Sequence, residues 1–176
     1  MRIRTTLLSL AMVALACAGG SSSTSGAPAD FQPTGSIVVA SGNGASFNTT
    51  QVNGPKVHIS QRSDGSWGGT INAGGATPTP IDATFQGGQF VGANIRLSIN
   101  REGGMTTIVG SVLDRIVRIE VTETELRVRT GTKSLNFVKL AGPGEYGGAQ
   151  SMKLVGEAQQ APPTPAFALA MVGAFI

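Results

Sequence analysis

One thiol and one imidazole, Cys17 and His58, are all this chain offers of those two groups. A single cysteine builds neither an internal disulfide nor a thiolate metal cluster. His58 falls on the polar side of the Val57, Ile59 alternation and reads as a surface imidazole. A Ser-His-Asp arrangement would depend on that one residue, and no Gly-x-Ser-x-Gly in a strand-turn-helix context accompanies it. Carboxylate pairs are left to Asp82, Glu120 and Glu125, without the aromatic platforms that glycosidase chemistry uses, since Trp67 and Tyr146 stand alone. Gly68-Gly69 and Gly142-Pro143-Gly144 lack the Lys-Ser/Thr and helix of a phosphate loop and read as turns. The expectation is a protein with no catalytic residue, no cofactor and no metal.

Cys17 is placed for acylation. Arg2 and Arg4 form a positive opening, residues 7–16 an apolar run, and small residues flank the cysteine, the pattern of a secretory signal peptide over residues 1–16. The run is about half the length a transmembrane helix needs. Val13-Ala14-Leu15-Ala16-Cys17 resembles the lipobox of bacterial lipoproteins, with Ala14 where Leu is usual. The resemblance implies cleavage before Cys17 and a diacylglyceryl group on its sulfur. Residues 17–33, rich in Gly, Ser and Thr, read as a flexible tether. Ala18 in place of the Asp that signals inner-membrane retention resembles the outer-membrane class. The alternative is cleavage by the general signal peptidase and a periplasmic or secreted protein.

Loss of Arg2 and Arg4 leaves eleven Lys/Arg against ten Asp/Glu, so the apparent basicity belongs to the leader. Without a basic stripe, nucleic acid is not an expected partner. What the cysteine tethers must then be a domain held by its own core, assigned to residues 34–157, and its periodicity is two. Val57 with Ile59, Ile81 with Ala83 and Phe85, Ile95 with Leu97 and Ile99, and Val117 with Ile119 and Val121 all alternate. Hairpin registers test the reading, because opposing residues must share a face. A Glu123-Thr124 turn sets Val121 against Leu126, Ile119 against Val128 and Val117 against Thr130. A Gly131-Thr132 turn sets Val128 against Leu135 and Leu126 against Phe137. Four-residue loops at 113–116 and 101–104 would set Val112 against Val117 and Leu97 against Ile108. Gly87-Gly88 pairs Phe85 with Phe90, and the parity change between Phe90 and Ile95 calls for a bulge at Gly92-Ala93. Trp67 shares parity with Ile71 and belongs in the core.

About ten strands in hairpin succession predict an all-β fold, a small antiparallel up-and-down barrel, with a two-sheet sandwich as the alternative. The architecture resembles that of lipocalins and avidins, with none of either family's ligand motifs. On the outer face Glu120 opposes Arg127, a routine ion pair, while Arg118 opposes Arg129. Two opposed like charges make Arg118 and Arg129 a candidate contact for an anion or an acidic partner. Residues 158–176 form a Pro-rich linker and an apolar tail whose last eleven residues are uncharged. That length suits one transmembrane β-strand or a short helix that docks on the domain, a partner or the membrane surface. The expected function is a non-catalytic envelope lipoprotein, at the outer membrane through its N-terminal lipid, acting as a binding or assembly module for other envelope proteins. Alternatives are a carrier of a small apolar ligand and an outer-membrane barrel component.

Overall fold

Alternating apolar residues, punctuated by tight turns, fold the chain into a closed antiparallel barrel of fourteen strands. The computed structural model describes residues 31–176, so the signal segment, Cys17 and most of the tether lie outside the described residues. The strands are β1 (Gly35–Val39), β2 (Ala45–Phe47), β3 (Gln51–Gly54), β4 (Val57–Gln61) and β5 (Trp67–Ile71). Then come β6 (Thr79–Gln86), β7 (Gln89–Gly92), β8 (Ile95–Glu102), β9 (Met105–Val112) and β10 (Arg115–Val121). β11 (Glu125–Thr130), β12 (Lys133–Lys139), β13 (Glu145–Gly148) and β14 (Met152–Gly156) complete the ring. Each strand pairs with the next, and β14 returns to β1 through the register Ile37 to Leu154. The loop before β6 joins neighbouring strands and switches no sheet, so the barrel and not the sandwich is the fold.

The strand count exceeds the expected ten because β3, β13 and β14 are short, with few apolar residues to alternate. Pairing of β10 with β11 and of β11 with β12 follows the expected registers. Two hairpins differ. Gly103-Gly104, with φ of 55° and 80°, makes a two-residue turn that sets Ile99 opposite Ile108. Leu113-Asp114, with φ of 50° and 60°, does the same and sets Ile119 opposite Ile108. Both central residues of such a turn need positive φ, which matches the right-handed strand twist. The tighter turns slide each strand by two residues, so every side chain keeps its face. Between Phe90 and Ile95 there is no bulge within a strand: β7 and β8 are separate, and Phe90 opposes Leu97.

An eight-strand barrel is filled by its own side chains, and fourteen strands enclose more room than that. The extra filling is the tail. A short 3-10 turn, Glu157–Gln160, leads to α1 (Pro165–Phe175), a helix capped by the Thr164 hydroxyl accepting from the Phe167 N–H. α1 is apolar on every side, and all of residues 166–176 are buried. It runs inside the barrel against β1 to β4, from the end where β1 begins (the entry end) to the opposite mouth (the far mouth). Phe167 meets Phe47 edge-on at 6.0 Å, and Phe175 meets Phe137 at 5.8 Å. The lumen away from α1 is filled by Trp67 against Phe90, at 6.0 Å and 84°, with Leu97 and Ile108. Of residues 158–176, set apart from the β domain by composition, the apolar stretch 166–176 is therefore part of its core, and Pro165–Phe175 is a helix and not a strand.

Two polar side chains point inward and are buried, Thr106 and Thr130. Each donates to a main-chain carbonyl at one end of the tail: Thr106 to Ala161, and Thr130 to Phe175 at 3.3 Å. Arg101 adds a hydrogen bond to the Gln160 carbonyl at 2.9 Å. A helix leaves its last carbonyls without internal partners, so a buried C-terminus needs such donors. Phe167→Ala removes a fully buried ring facing Phe47, and we expect it to cost about 3–5 kcal/mol of folding stability. Urea unfolding followed by Trp67 emission measures this, since Trp67 is the single tryptophan and is buried. Phe167→Asp is expected to leave Trp67 exposed and red-shifted in water.

Candidate functional site

The outer wall carries the arginines singled out by sequence. Arg118 opposes Arg129 and Glu120 opposes Arg127, as the register requires. The ion pairs, however, run along the strands. Arg118 donates through Nε and Nη2 to Glu120 Oε1 at 2.9 and 2.7 Å, and Arg127 meets Glu125 at 2.6 Å. Residues two apart on a strand share a face, and an arginine is long enough to bridge them. Glu120 thus neutralises Arg118, and Arg129 stands exposed opposite Ser134. Asp82 is held by Arg62 at 3.0 Å, and its hydrogen bond and charge keep that guanidinium above its usual pKa. The three candidate carboxylates are each paired with an arginine and do not pair with one another.

His58 is exposed on the outer wall, its Nδ1 against Asn53 Oδ1 at 2.5 Å. It lines a recess of about 180 Å³ with Asn53, Ser60, Gly68 and Gly69, and no acid lines that recess. No group of three or more His, Cys, Asp or Glu side chains that could hold a metal occurs among the described residues.

A different cluster gathers at the far mouth. Lys56 lies in the β3–β4 turn, and Arg115 and Lys133 open β10 and β12. All three line a cavity of about 500 Å³ with Thr130, Gly131, Thr132 and Ile176. Lys56 is half-buried and donates to the Ile176 carbonyl at 3.3 Å. Burial, and then the charges of Lys133 and Arg115, push its ammonium below the usual 10.5. None of the three cations forms an ion pair among the described residues. Asp114, exposed in the turn before Arg115, is the one acidic side chain at this end of the barrel among the described residues. Sequence reading missed the cluster because 56, 115 and 133 are remote along the chain. The signal was the turn count: each residue sits where a strand leaves the same mouth.

A third feature lies where the ring closes. Exposed Val38, Val138, Leu140 and Val155 occupy the outer faces of β1, β14 and the chain around β12 and β13. Val38, Ala40 and Leu140 line a recess of about 260 Å³, crossed by the Lys153 to Glu145 ion pair at 3.0 Å.

No protein-family model, curated protein or solved structure matches this chain. The site is therefore read from its own chemistry.

Lys56 gives the mouth a pH signature. Its folded pKa lies below 10.5, so between the two values the unfolded chain holds more protons and stability rises with pH. Below that window the charged ammonium carries its full cost. Lys56→Met removes this slope: the stability of the variant relative to the parent is expected to fall as pH is raised from neutral towards 10.5, read from urea midpoints.

Proposed function

We propose that the protein is a lipid-anchored envelope protein, held at Cys17, whose barrel is a non-catalytic binding module for other envelope proteins. The observation that carries this reading is the occupied lumen. α1 takes the space in which a hollow barrel would hold an apolar ligand, and it leaves the outer wall and the mouths as the surfaces available for recognition. The outer wall bears Arg118, Glu120, Arg127, Arg129 and Lys153 while the lumen is apolar, the reverse of a barrel that faces lipid. That polarity supports a barrel standing in water beside a membrane. Among the described residues no helix is long and apolar enough to cross one. The exposed apolar side chains at the closure of β1 with β14 favour contact with another protein, because such patches on a charged wall are where protein surfaces meet.

The chain enters the barrel at Gly35, so an anchor on the N-terminal side holds the entry end towards the membrane and leaves the far mouth facing away. Cys17→Ser tests the anchor. The variant is expected to lose acyl mass in mass spectrometry and to leave the membrane fraction, while Trp67 emission stays that of the buried indole. Membrane retention by the non-acylated variant would overturn the anchor. Leu140→Glu is expected to keep the fold and to abolish crosslinks from the closure wall to a partner in native membranes; unchanged crosslinks would move the contact elsewhere.

A further inference from the structure

We propose that the far mouth binds an organic phosphate, a ligand with two or more negative charges on a body that fills the cavity between Lys56, Arg115 and Lys133. This proposal stands whether or not Cys17 is acylated, since it rests on the described barrel alone.

Three cations converge on one cavity of about 500 Å³ without an ion pair to any described Asp or Glu side chain. Elsewhere on the same barrel Arg62, Arg118, Arg127 and Lys153 each hold an acid within 3.0 Å. Acids are not scarce in this chain; they are distributed away from this mouth. Asp64, Glu102, Glu123, Glu145 and Glu157 lie in or beside the turns of the entry end, whereas Asp114 is the far mouth's acid. Lys56 is half-buried and faces Arg115 and Lys133 across the cavity; burial first, and then those two charges, disfavour its ammonium, and a bound anion offsets the repulsion.

The C-terminus of α1 supplies part of the counter-charge, about half an elementary charge, and Lys56 already serves it through the Ile176 carbonyl. A single carboxylate on Ile176 would still leave two cations, Arg115 and Lys133, without a counter-charge from it. Arg115 and Lys133 remain exposed, and neither has a hydrogen-bond partner for its side chain among the described contacts. The guanidinium fork suits two phosphate oxygens at once, and the ammonium groups act as point charges on a third side. Thr132 places a hydroxyl on the same rim. The cavity falls within the usual range for small-molecule sites, roughly 300–1,000 Å³, and exceeds what one inorganic phosphate occupies, which argues for a phosphate on a larger body.

The ligand chemistry is shared by soluble sugar phosphates and by phosphate-bearing lipid headgroups, and titration of the full chain separates them. Fructose 1,6-bisphosphate, inorganic phosphate and neutral fructose are compared by calorimetry, and vesicles containing cardiolipin, whose headgroup bears two phosphates, with vesicles of phosphatidylcholine by sedimentation. Vesicle arms use Cys17→Ser protein, so that an acyl anchor contributes nothing. The bisphosphate is expected to bind most tightly, phosphate weakly and fructose not at all, with affinity falling as salt is added. Lys56→Met, Arg115→Met and Lys133→Met should each weaken binding about tenfold or more, the size of one lost charge-assisted hydrogen bond, and the triple variant should not bind. Arg129→Met, on the outer wall, should bind like the parent. Binding to cardiolipin vesicles that the triple variant loses assigns the source as a lipid headgroup; binding of the bisphosphate alone assigns a soluble one. Trp67 emission and urea midpoints confirm that each variant is folded. Equal binding of fructose and its bisphosphate, unaltered binding by the folded triple variant, or no binding in either arm overturns the proposal.

Discussion

Everything in this barrel depends on the burial of α1. A ring of fourteen strands closed on itself has no edges, but it has a lumen that its inward side chains leave unfilled along β1 to β4. A helix that is apolar on all sides has nowhere to go in water except an apolar interior. Each element supplies what the other lacks, and the packing is close: a methyl group at Gly173 would stand 2.3 Å from Val57 Cγ1. The polar cost of burying a helix end is met by the wall. Among the described residues Thr106 and Thr130 are the two buried threonines, and both hydroxyls are spent on carbonyls of the tail.

Much of this was legible in the chain, and the reason is parity. Period-two alternation assigned faces correctly even where the pairing was off, because the tighter turns at Gly103-Gly104 and Leu113-Asp114 shift register by two and not by one. Trp67 fell in the core for the same reason. Alternation says little about strands as short as Gln51–Gly54 or Glu145–Gly148, where one apolar residue has no neighbour to alternate with. The strand count, and with it the width of the lumen, was hidden there. A narrower barrel would have been filled by its own side chains, and the tail would then have had no interior to enter. Thr130, lying opposite Val117 on an otherwise apolar face, was the trace of the missing helix: an inward hydroxyl needs a partner inside.

The charges followed a similar rule. Cross-strand registers found Arg118 opposite Arg129, but a register names neighbours and not the contacts that long side chains choose. Arg118 turned to Glu120 along its own strand, which left the outer pair a weaker candidate for an anion than it looked. Exposed pairs of this kind contribute roughly 0–1 kcal/mol and organise little. Lys56, Arg115 and Lys133 form a cluster only once the ring is closed, because closure is what brings turns from separate hairpins round a single opening.

Chain order couples the closing of the ring to the filling of its lumen. β14 must reach β1 before the barrel exists, and α1 follows β14 by only the turn Glu157–Gln160 and a Pro-rich connection. β1 to β4 present Val39, Phe47, Val52 and Val57 to the lumen, and α1 is the element that covers them. The eleven-residue helix is held by Thr130 at its C-terminal end, and Thr106 holds the connection before it at Ala161, so a finished wall encloses the helix and filling the lumen is coupled to the meeting of β1 and β14. These contacts join the first strand to the last elements of the chain, and such long-range closure is intrinsically slow. Until it happens the apolar faces of the first four strands and of α1 are both open to water. The residues that hold the far mouth, Lys56 on the turn after β3 and Ile176 at the end of α1, come together in that same event. A complete cationic mouth is therefore a property of the closed, filled barrel and of no earlier state.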